Sequence, residues 1–549
     1  MLRLLIKGDQ LPAPDKNRAV EQQGRATSLA LAPNSVDGRI ANGLKYCFRL
    51  YLYVLKPAMT IRRVTIENYR SIEALDLEFS PVNALVGPNN SGKSNILRAL
   101  NIVLGETWPT RPFTDKDYFE HDLTRTIHIQ VFFHNPLQCG HDVEGFWLRC
   151  AANQPPDFLA IDANGNECQW PNGSPKRVNS VMRDEVALLY LGLDREAETQ
   201  LRSNQWTLYG KLLRRIEAGI PAATKNTFTT AVSTAYQTHL QPSLAAAQTI
   251  MDNIVRSQTG LNIQLQLQVL NPLQVLKNVR PCILEGAMNI DPEECGAGVQ
   301  SAIALAVAKA YADIFKNPVV LALEEPELYL HPHGCRHFYR LLQEFSGAGL
   351  QIIYTTHERS FVNVGDFDSV HIVRKNAQQT EVASGRRLHI HGANQLRMQS
   401  RFNDRVNEVF FSAAVVLLEG DPDEIACRAS LEALGIDLDK RSISLIAVGG
   451  LAEIPVFAEL LSGLGIPTIA LVDEDPGNAS SAGHRATIAH HLPPAHIMLQ
   501  SPRLETLWGL VSKPKRVVAM STFPAACAVA ANIPQVYRDL QALLDTLAP

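Results

Sequence analysis

At 549 residues the chain is longer than one hydrophobic core usually organises, so two or three domains are expected. Hydrophobic residues make up 46% and charged residues 19%, the balance of a soluble globular protein. The formal net charge of −4 gives no general attraction to nucleic acid, although a local basic groove can sit on an acidic protein. The nine cysteines form no Cys-x-x-Cys pair, which leaves a zinc ribbon unsupported and fits a reducing, cytoplasmic setting.

Residues 1–58 read as an N-terminal extension with weak periodicity and many breakers. The apolar run Tyr46 to Met59 is interrupted by Arg49 and Lys56 and is too short to span a membrane. Regular alternation begins just after Met59, so Met59 is the expected natural start; an intact mass beginning at Met1 would exclude this. Thr60 to Tyr69, Leu75 to Phe79 and Asn83 to Val86 read as strands. The last leads into Gly87-Pro88-Asn89-Asn90-Ser91-Gly92-Lys93-Ser94, and Asn95 to Leu104 then has helical spacing. Thr126 to Phe133 is another strand.

From about Asp184 to Leu276 the pattern becomes polar and helical, the mark of a helical insertion suited to dimer contacts. Gly296 to Ala312 reads as an alanine-rich helix, and Pro318 to Leu323 and Leu350 to Tyr354 as buried strands. Strands alternating with helices imply an α/β domain with a largely parallel sheet over residues 59–375. Residues 376–410, with Arg386, Arg387, Arg397, Arg401 and Arg405, read as a basic linker or docking segment, with a solvated surface favoured over a DNA contact. A second α/β unit, 411–549, holds strands at Ala413 to Leu418, Ser442 to Val448 and Thr468 to Val472.

Two groups of residues carry chemistry. In the glycine loop, Gly87 and Gly92 let the backbone curl so that its N–H groups face phosphates at a helix N-terminus. Lys93 should reach the β- and γ-phosphates of ATP, and Ser94 should ligate Mg2+. Glu324 and Glu325 follow an apolar strand, which suits the first to the metal's water shell and the second to the attacking water. His357, just past the next strand, is placed near the γ-phosphate. The second group is Glu419-Gly420 with Asp423, then Asp473-Glu474-Asp475, each after an apolar run. Glu424 is an alternative to Asp423, and alternation aims Asp473 and Asp475 to one side. Clustered carboxylates repel unless a cation neutralises them, and hard oxygen donors suit Mg2+ or Mn2+.

The first group resembles ABC-type ATPases of the RecF and OLD (overcoming lysogenization defect) kind. The resemblance rests on Asn68-Tyr69-Arg70-Ser71, the glycine loop ending in Asn95, Gly296 to Ser301, Glu324 to Pro332 and His357. It implies that Gly296, Gly298 and Gln300 cap ATP held by a second subunit, so a homodimer or higher homo-oligomer is expected. Glu324 stands where transport ATPases carry Asp, a form familiar in the OLD-like branch. The second group resembles the Toprim domain, a Rossmann-like α/β fold, and Val448-Gly449-Gly450 matches its OLD-family version. Leu504-Glu505 and Lys513-Pro514 look like that family's late acidic and lysine elements. By this resemblance Glu505 joins the metal ligands and Lys513, or alternatively Lys515, stabilises the transition-state phosphate. The resemblance spans roughly residues 59–549; Leu191 to Arg195 also look family-like, without an assigned role.

The combined expectation is a cytoplasmic ATPase and metal-dependent DNA endonuclease, with phage defence or DNA repair implied by family. A separately encoded helicase partner is a further expectation. The rival is a RecF-like repair ATPase that binds DNA without cutting it. A topoisomerase would need a tyrosine nucleophile, and Tyr537 is the only late one; a primase would normally bring a zinc module.

Overall fold

The computed structural model describes residues 60–548 except 106, 193–202, 204–206, 266–271, 316–318, 329, 363 and 389–405. The N-terminal extension, Arg195 and the arginines at 397, 401 and 405 lie outside the described residues.

The chain opens with β1 (Ile61–Tyr69) and β2 (Ile72–Glu78), an antiparallel hairpin whose alternate residues are buried. β3 (Val82–Val86) follows and is buried throughout, as a strand covered on both faces must be. Its one polar residue, Asn83, is satisfied: its side chain donates to the Ser80 and Ile352 carbonyls and accepts from Ser80 N–H. β4 (Ile127–Phe133), β5 (Gly145–Cys150) and β6 (Asp157–Ile161) join the hairpin in a five-stranded antiparallel sheet, β2-β1-β4-β5-β6. The sheet closes over the helix Lys93–Leu104 through Ile96, Leu97, Leu100 and Val103, all fully buried. Each such side chain removed from water contributes roughly 1.5–3 kcal/mol.

β7 (Ala187–Leu191) lies inside the stretch expected to be helical, which corrects the start of the insertion. It is an apolar five-residue run paired in parallel with the next long strand, Val319–Glu324; β8 (Ile283–Glu285) and β9 (Met288–Ile290) form only a short hairpin. The insertion's first described helix, Leu208–Gly219, buries Leu208, Tyr209, Leu212 and Leu213 in the core. Helices Ala222–Ala235 and Gln241–Thr259 bury no residue.

β10 (Val319–Glu324), β11 (Gln351–Thr356), β12 (Val370–Asn376) and β13 (Gln379–Ser384) complete a six-stranded sheet, β13-β12-β3-β11-β10-β7. It is parallel except at β13. β13 also corrects the linker reading: residues 379–384 are an edge strand of the ATPase sheet. At the other end of that stretch, Val409 and Phe410 are buried in the core.

The last unit is a four-stranded parallel sheet, β15-β14-β16-β17, formed by β14 (Ala414–Leu418), β15 (Ile443–Ala447), β16 (Thr468–Asp473) and β17 (Ile497–Gln500). Alternation along β14 splits its side chains between two cores: Val415 and Leu417 face the core shared with the ATPase sheet, Ala414, Val416 and Leu418 face helices Asp421–Ala433, Arg516–Cys527 and Gln535–Leu547. Among the described residues no helix is long and apolar enough to cross a membrane.

Candidate active sites

The glycine loop runs from β3 to the helix Lys93–Leu104. Gly92 has φ of 104°, and a Cβ there would lie 2.1 Å from Thr380 Oγ1. Gly87 is equally confined, with Val373 O 2.0 Å from a hypothetical Cβ. Both positions therefore require glycine. Thr380, from the edge strand β13, accounts for the tightness: it bonds Ser71 Oγ at 2.7 Å and donates to Ser91 O at 3.0 Å. Asn95 donates to the same Ser71 at 2.8 Å, and Arg70 is paired with Asp117 at 2.8 Å. The Asn68–Ser71 motif thus braces the loop. Sequence reading missed Thr380, because a lone threonine in a polar stretch carries no signal.

Lys93 is buried and folds back on its own loop, donating to Gly87 O at 2.9 Å and Pro88 O at 2.8 Å. Burial pulls its pKa down to about 8, against the pull of Glu325, Glu327 and Glu324. Ser94 Oγ donates to Glu324 Oε2 at 3.1 Å, so the two expected Mg2+ groups meet. Tyr190, at the end of β7, donates to Glu324 Oε1 at 2.5 Å, a contact that only tertiary structure reveals. Glu325 sits past the end of β10 at φ 43°, a left-handed conformation rare outside glycine and common at functional sites. Its Oε1 is 3.6 Å from His357 Nε2. Burial, then Lys93, pulls the His357 pKa down to about 4, so the ring is neutral near pH 7. Glu327 fixes the adjoining backbone by accepting from His357 N–H at 2.7 Å and Thr356 Oγ1 at 2.9 Å.

Beside the loop is a pocket of about 670 Å³ lined by Asn90, Ser71, Asn95 and the cations Arg70, Arg98, Lys116 and Lys375. Curled amides, a lysine without a carboxylate ion pair and a cationic pocket fit a nucleotide polyphosphate. Gly296, Gly298 and Gln300 lie at the start of the helix Ala297–Phe315. Gln300 donates to Cys295 O at 2.9 Å, and a side chain at Gly298 would face Leu330.

In the second unit Glu419 and Asp473 stand at the carboxyl ends of neighbouring strands β14 and β16. Glu419 Oε1 accepts from Asp473 N–H at 2.9 Å. Val448 and Gly449 continue the pairing of β15, donating to Leu418 O and Glu419 O at 2.9 and 3.0 Å. Asp423, in the first turn of its helix, accepts from Gly420 N–H at 3.1 Å. Lys513 joins the set from a distant segment: its Nζ is 2.8 Å from Asp423 Oδ2 and 3.4 Å from Asp473 Oδ2. Asp423, not Glu424, makes this contact, and it is made by Lys513, not by the exposed Lys515.

The electrostatics are those of charge held out of water. Burial pushes the Glu419 carboxyl up to about 7; the Asp473 N–H and Lys513 pull it down, and the charges of Asp473 and Asp423 push it up. Burial likewise raises Asp423 and Asp473, against the pull of Lys513. For Lys513, burial works against the ammonium, but Asp423, Asp473 and Glu419 outweigh it and raise its pKa.

Two further expected ligands make other contacts. Asp475 does not share the direction of Asp473, because β16 ends at Asp473 and Asp475 takes a left-handed φ of 44°. It pairs with Arg503 and accepts from Ser481 Oγ at 3.2 Å. Glu505 opens the short helix Leu504–Leu507 and forms no ion pair with Lys513; it is the amide before it, Leu504 N–H, that donates to Asp473 Oδ1 at 2.8 Å. Among the described residues no three His, Cys, Asp or Glu side chains are arranged to hold a metal ion. The donor chemistry of Glu419, Asp423 and Asp473, buried oxygens with too little positive charge, nevertheless fits a hard divalent cation.

Comparison with known proteins finds relatives of both domains. Residues 410–475 match the family model of the Toprim domain of overcoming lysogenization defect protein-like chains, and 59–139 with 179–362 match an AAA ATPase domain. The OLD nuclease of Thermus scotoductus is 31% identical over 432 residues, covering 76% of this chain and 82% of that one. The Old nuclease of Escherichia phage P2 is 22% identical over 458 residues, 76% of this chain and 78% of its own. Endonuclease GajA of Bacillus cereus shares 32% identity over 71 residues, 13% of this chain and 12% of that. The chain therefore belongs to the OLD nuclease family, an ATP-dependent nuclease that joins an ABC-type ATPase to a Toprim domain.

Proposed function

We propose that this enzyme is a DNA endonuclease that uses Mg2+ or Mn2+ at the Toprim carboxylates and whose cleavage is governed by ATP. The observation that carries the reading is the meeting of Glu419, Asp423 and Asp473 with Lys513 at the carboxyl ends of β14 and β16. Glu419, Asp423 and Asp473 hold the ion, with Asp475 and Glu505 outside this inner group. A bound divalent ion supplies charge neutralisation and an activated water at neutral pH. Lys513 offers its ammonium to the charge that develops on the phosphodiester. At the other site Lys93 and the loop amides hold the phosphates, Ser94 and Glu324 hold Mg2+, and Glu325 orients the attacking water beside the neutral His357.

DNA as substrate, a cytoplasmic setting and a role in phage defence belong to the same reading. So does a homodimer through the helical insertion. Ile250, Met251 and Ile254 are exposed on the helix Gln241–Thr259, which buries none of its residues, and Leu240 is exposed just before it, a surface suited to a second copy. In that dimer Gly296, Gly298 and Gln300 would cap the partner's nucleotide.

The test is nicking of supercoiled DNA with Mg2+ or Mn2+. Glu419→Ala and Asp473→Ala should each lower the rate by roughly 100-fold or more. Undiminished cleavage in both variants would remove the assignment. ATP-dependent DNA binding without cleavage under either metal would favour the non-cutting repair ATPase instead.

A further inference from the structure

We infer that the Lys513 ammonium holds the place of the divalent cation in the metal-free enzyme and must leave that place for the ion to bind. The inference rests on the nuclease reading above and concerns how its metal site is loaded.

Three observations carry it. The first is position. Lys513 Nζ lies between two carboxylates from different elements, 2.8 Å from Asp423 Oδ2 and 3.4 Å from Asp473 Oδ2. The second oxygen of Asp473 is already committed to Leu504 N–H at 2.8 Å. Asp473 Oδ2, which faces Lys513, is therefore that residue's open oxygen, while Asp423 Oδ2 takes the ammonium in addition to Gly420 N–H at 3.1 Å. An ion bound at the usual ~2.0–2.2 Å and an ammonium at hydrogen-bond distance cannot share the space between the same two oxygens.

The second is charge. The Asp423 and Asp473 side chains are only 2% and 8% exposed, and Glu419 is tied into the same corner through Asp473 N–H. One ammonium faces three acidic groups, so a buried deficit of positive charge remains. A divalent ion corrects more of that deficit than a lysine can.

The third is freedom to move. Lys513 lies on irregular backbone between helices Leu504–Leu507 and Arg516–Cys527. Its side chain remains one-third exposed, and Val511, two residues before it, is fully exposed. The ammonium can thus swing outward without disturbing the buried carboxylates. Without the ion, Lys513 neutralises the site and is withheld from substrate; once the ion is bound, the same ammonium is free for the phosphate. One residue would then keep the nuclease folded and inert until metal arrives.

The test uses the full chain without nucleotide or DNA. Mn2+ affinity is read by electron paramagnetic resonance, and Tm is measured with and without saturating Mn2+. Lys513→Gln and Lys513→Met should bind Mn2+ about tenfold more tightly, since their site no longer releases an ion pair first. Both should melt lower than wild type in metal-free buffer, and saturating Mn2+ should erase most of that difference. Asp473→Asn should abolish the same binding event. Lys515→Gln, which removes an exposed neighbouring charge, should change affinity less than about twofold. Unchanged or weaker Mn2+ binding in both Lys513 variants would overturn the proposal. Equal tightening in Lys515→Gln would also overturn it, because long-range charge would then suffice. Binding that survives Asp473→Asn would place the ion elsewhere and overturn it too. No Mn2+ binding in wild type or in either Lys513 variant would remove the nuclease reading along with the inference.

Discussion

The lysines of the two sites, Lys93 and Lys513, sit in opposite surroundings. Lys93 is buried among carbonyl oxygens, and burial pulls its pKa down to about 8. Lys513 is partly exposed between carboxylates, which raise its pKa in spite of burial. The first is held by dipoles that cannot neutralise it, so an incoming phosphate gains a full charge partner. The second is already paired, so an incoming cation must compete with it. The same side chain is thus a receptor at one site and a placeholder at the other, and its neighbours decide which.

The contrast can be broken most strongly at Lys513. Lys513→Met should lower DNA cleavage by about 100- to 1,000-fold, the scale of losing one charge-stabilising donor, while leaving nucleotide affinity unchanged. Cleavage within threefold of wild type would show that the ammonium serves only the fold. Next in size is Lys93→Ala, which should weaken nucleotide binding about 100-fold in equilibrium titration and leave Mn2+ binding at the Toprim carboxylates intact. If metal binding fell with it, the two sites would not be electrostatically separate.

A third probe is pH. His371 is fully buried on β12, its Nε2 3.2 Å from Asn83 Oδ1 below the glycine loop, and burial pulls its pKa down to about 3. In the unfolded chain it titrates near 6.5, so below that pH the unfolded state takes a proton that the folded state refuses. Stability is therefore full above about pH 6.5 and falls by up to about 1.4 kcal/mol per pH unit toward pH 3. Urea unfolding from pH 7 to 5 should show this slope, and His371→Gln should flatten it; an equal slope in the variant would assign it to other groups. The smallest effect is expected for Thr380→Val, which removes the hydroxyl bonding Ser71 and Ser91. Loss of those bonds should cost about 1 kcal/mol, read as roughly fivefold weaker ATP binding. An unchanged affinity would mean that the bracing is redundant.

Local chemistry was legible in the sequence; partnership was not. The glycine loop, the apolar strands β3, β10, β14 and β16, and the carboxylates at their ends follow from short-range pattern. Buried parallel strands are unbroken apolar runs, and functional groups collect where such strands stop. Alternation misled at Asp475, because β16 ends at Asp473 and Pro476-Gly477 turns the chain. β13 read as linker because an edge strand meets solvent and stays polar, yet its Thr380 closes on the loop. Tyr190 and Glu324 are 134 residues apart, and no periodicity reports such a pairing. Lys513 stood among the candidates by resemblance alone, and its two carboxylate partners became visible only once β14, β16 and the helix at Asp421 were in place.

Control of the Toprim site by the ATP site is decided by the nicking rate of supercoiled DNA in Mn2+, measured with and without ATP, for wild type and Lys93→Ala. If the sites are coupled, the wild-type rate changes with ATP and the Lys93→Ala rate does not respond to it. A Lys93→Ala enzyme that cleaves like wild type both with and without ATP would show that the sites are uncoupled.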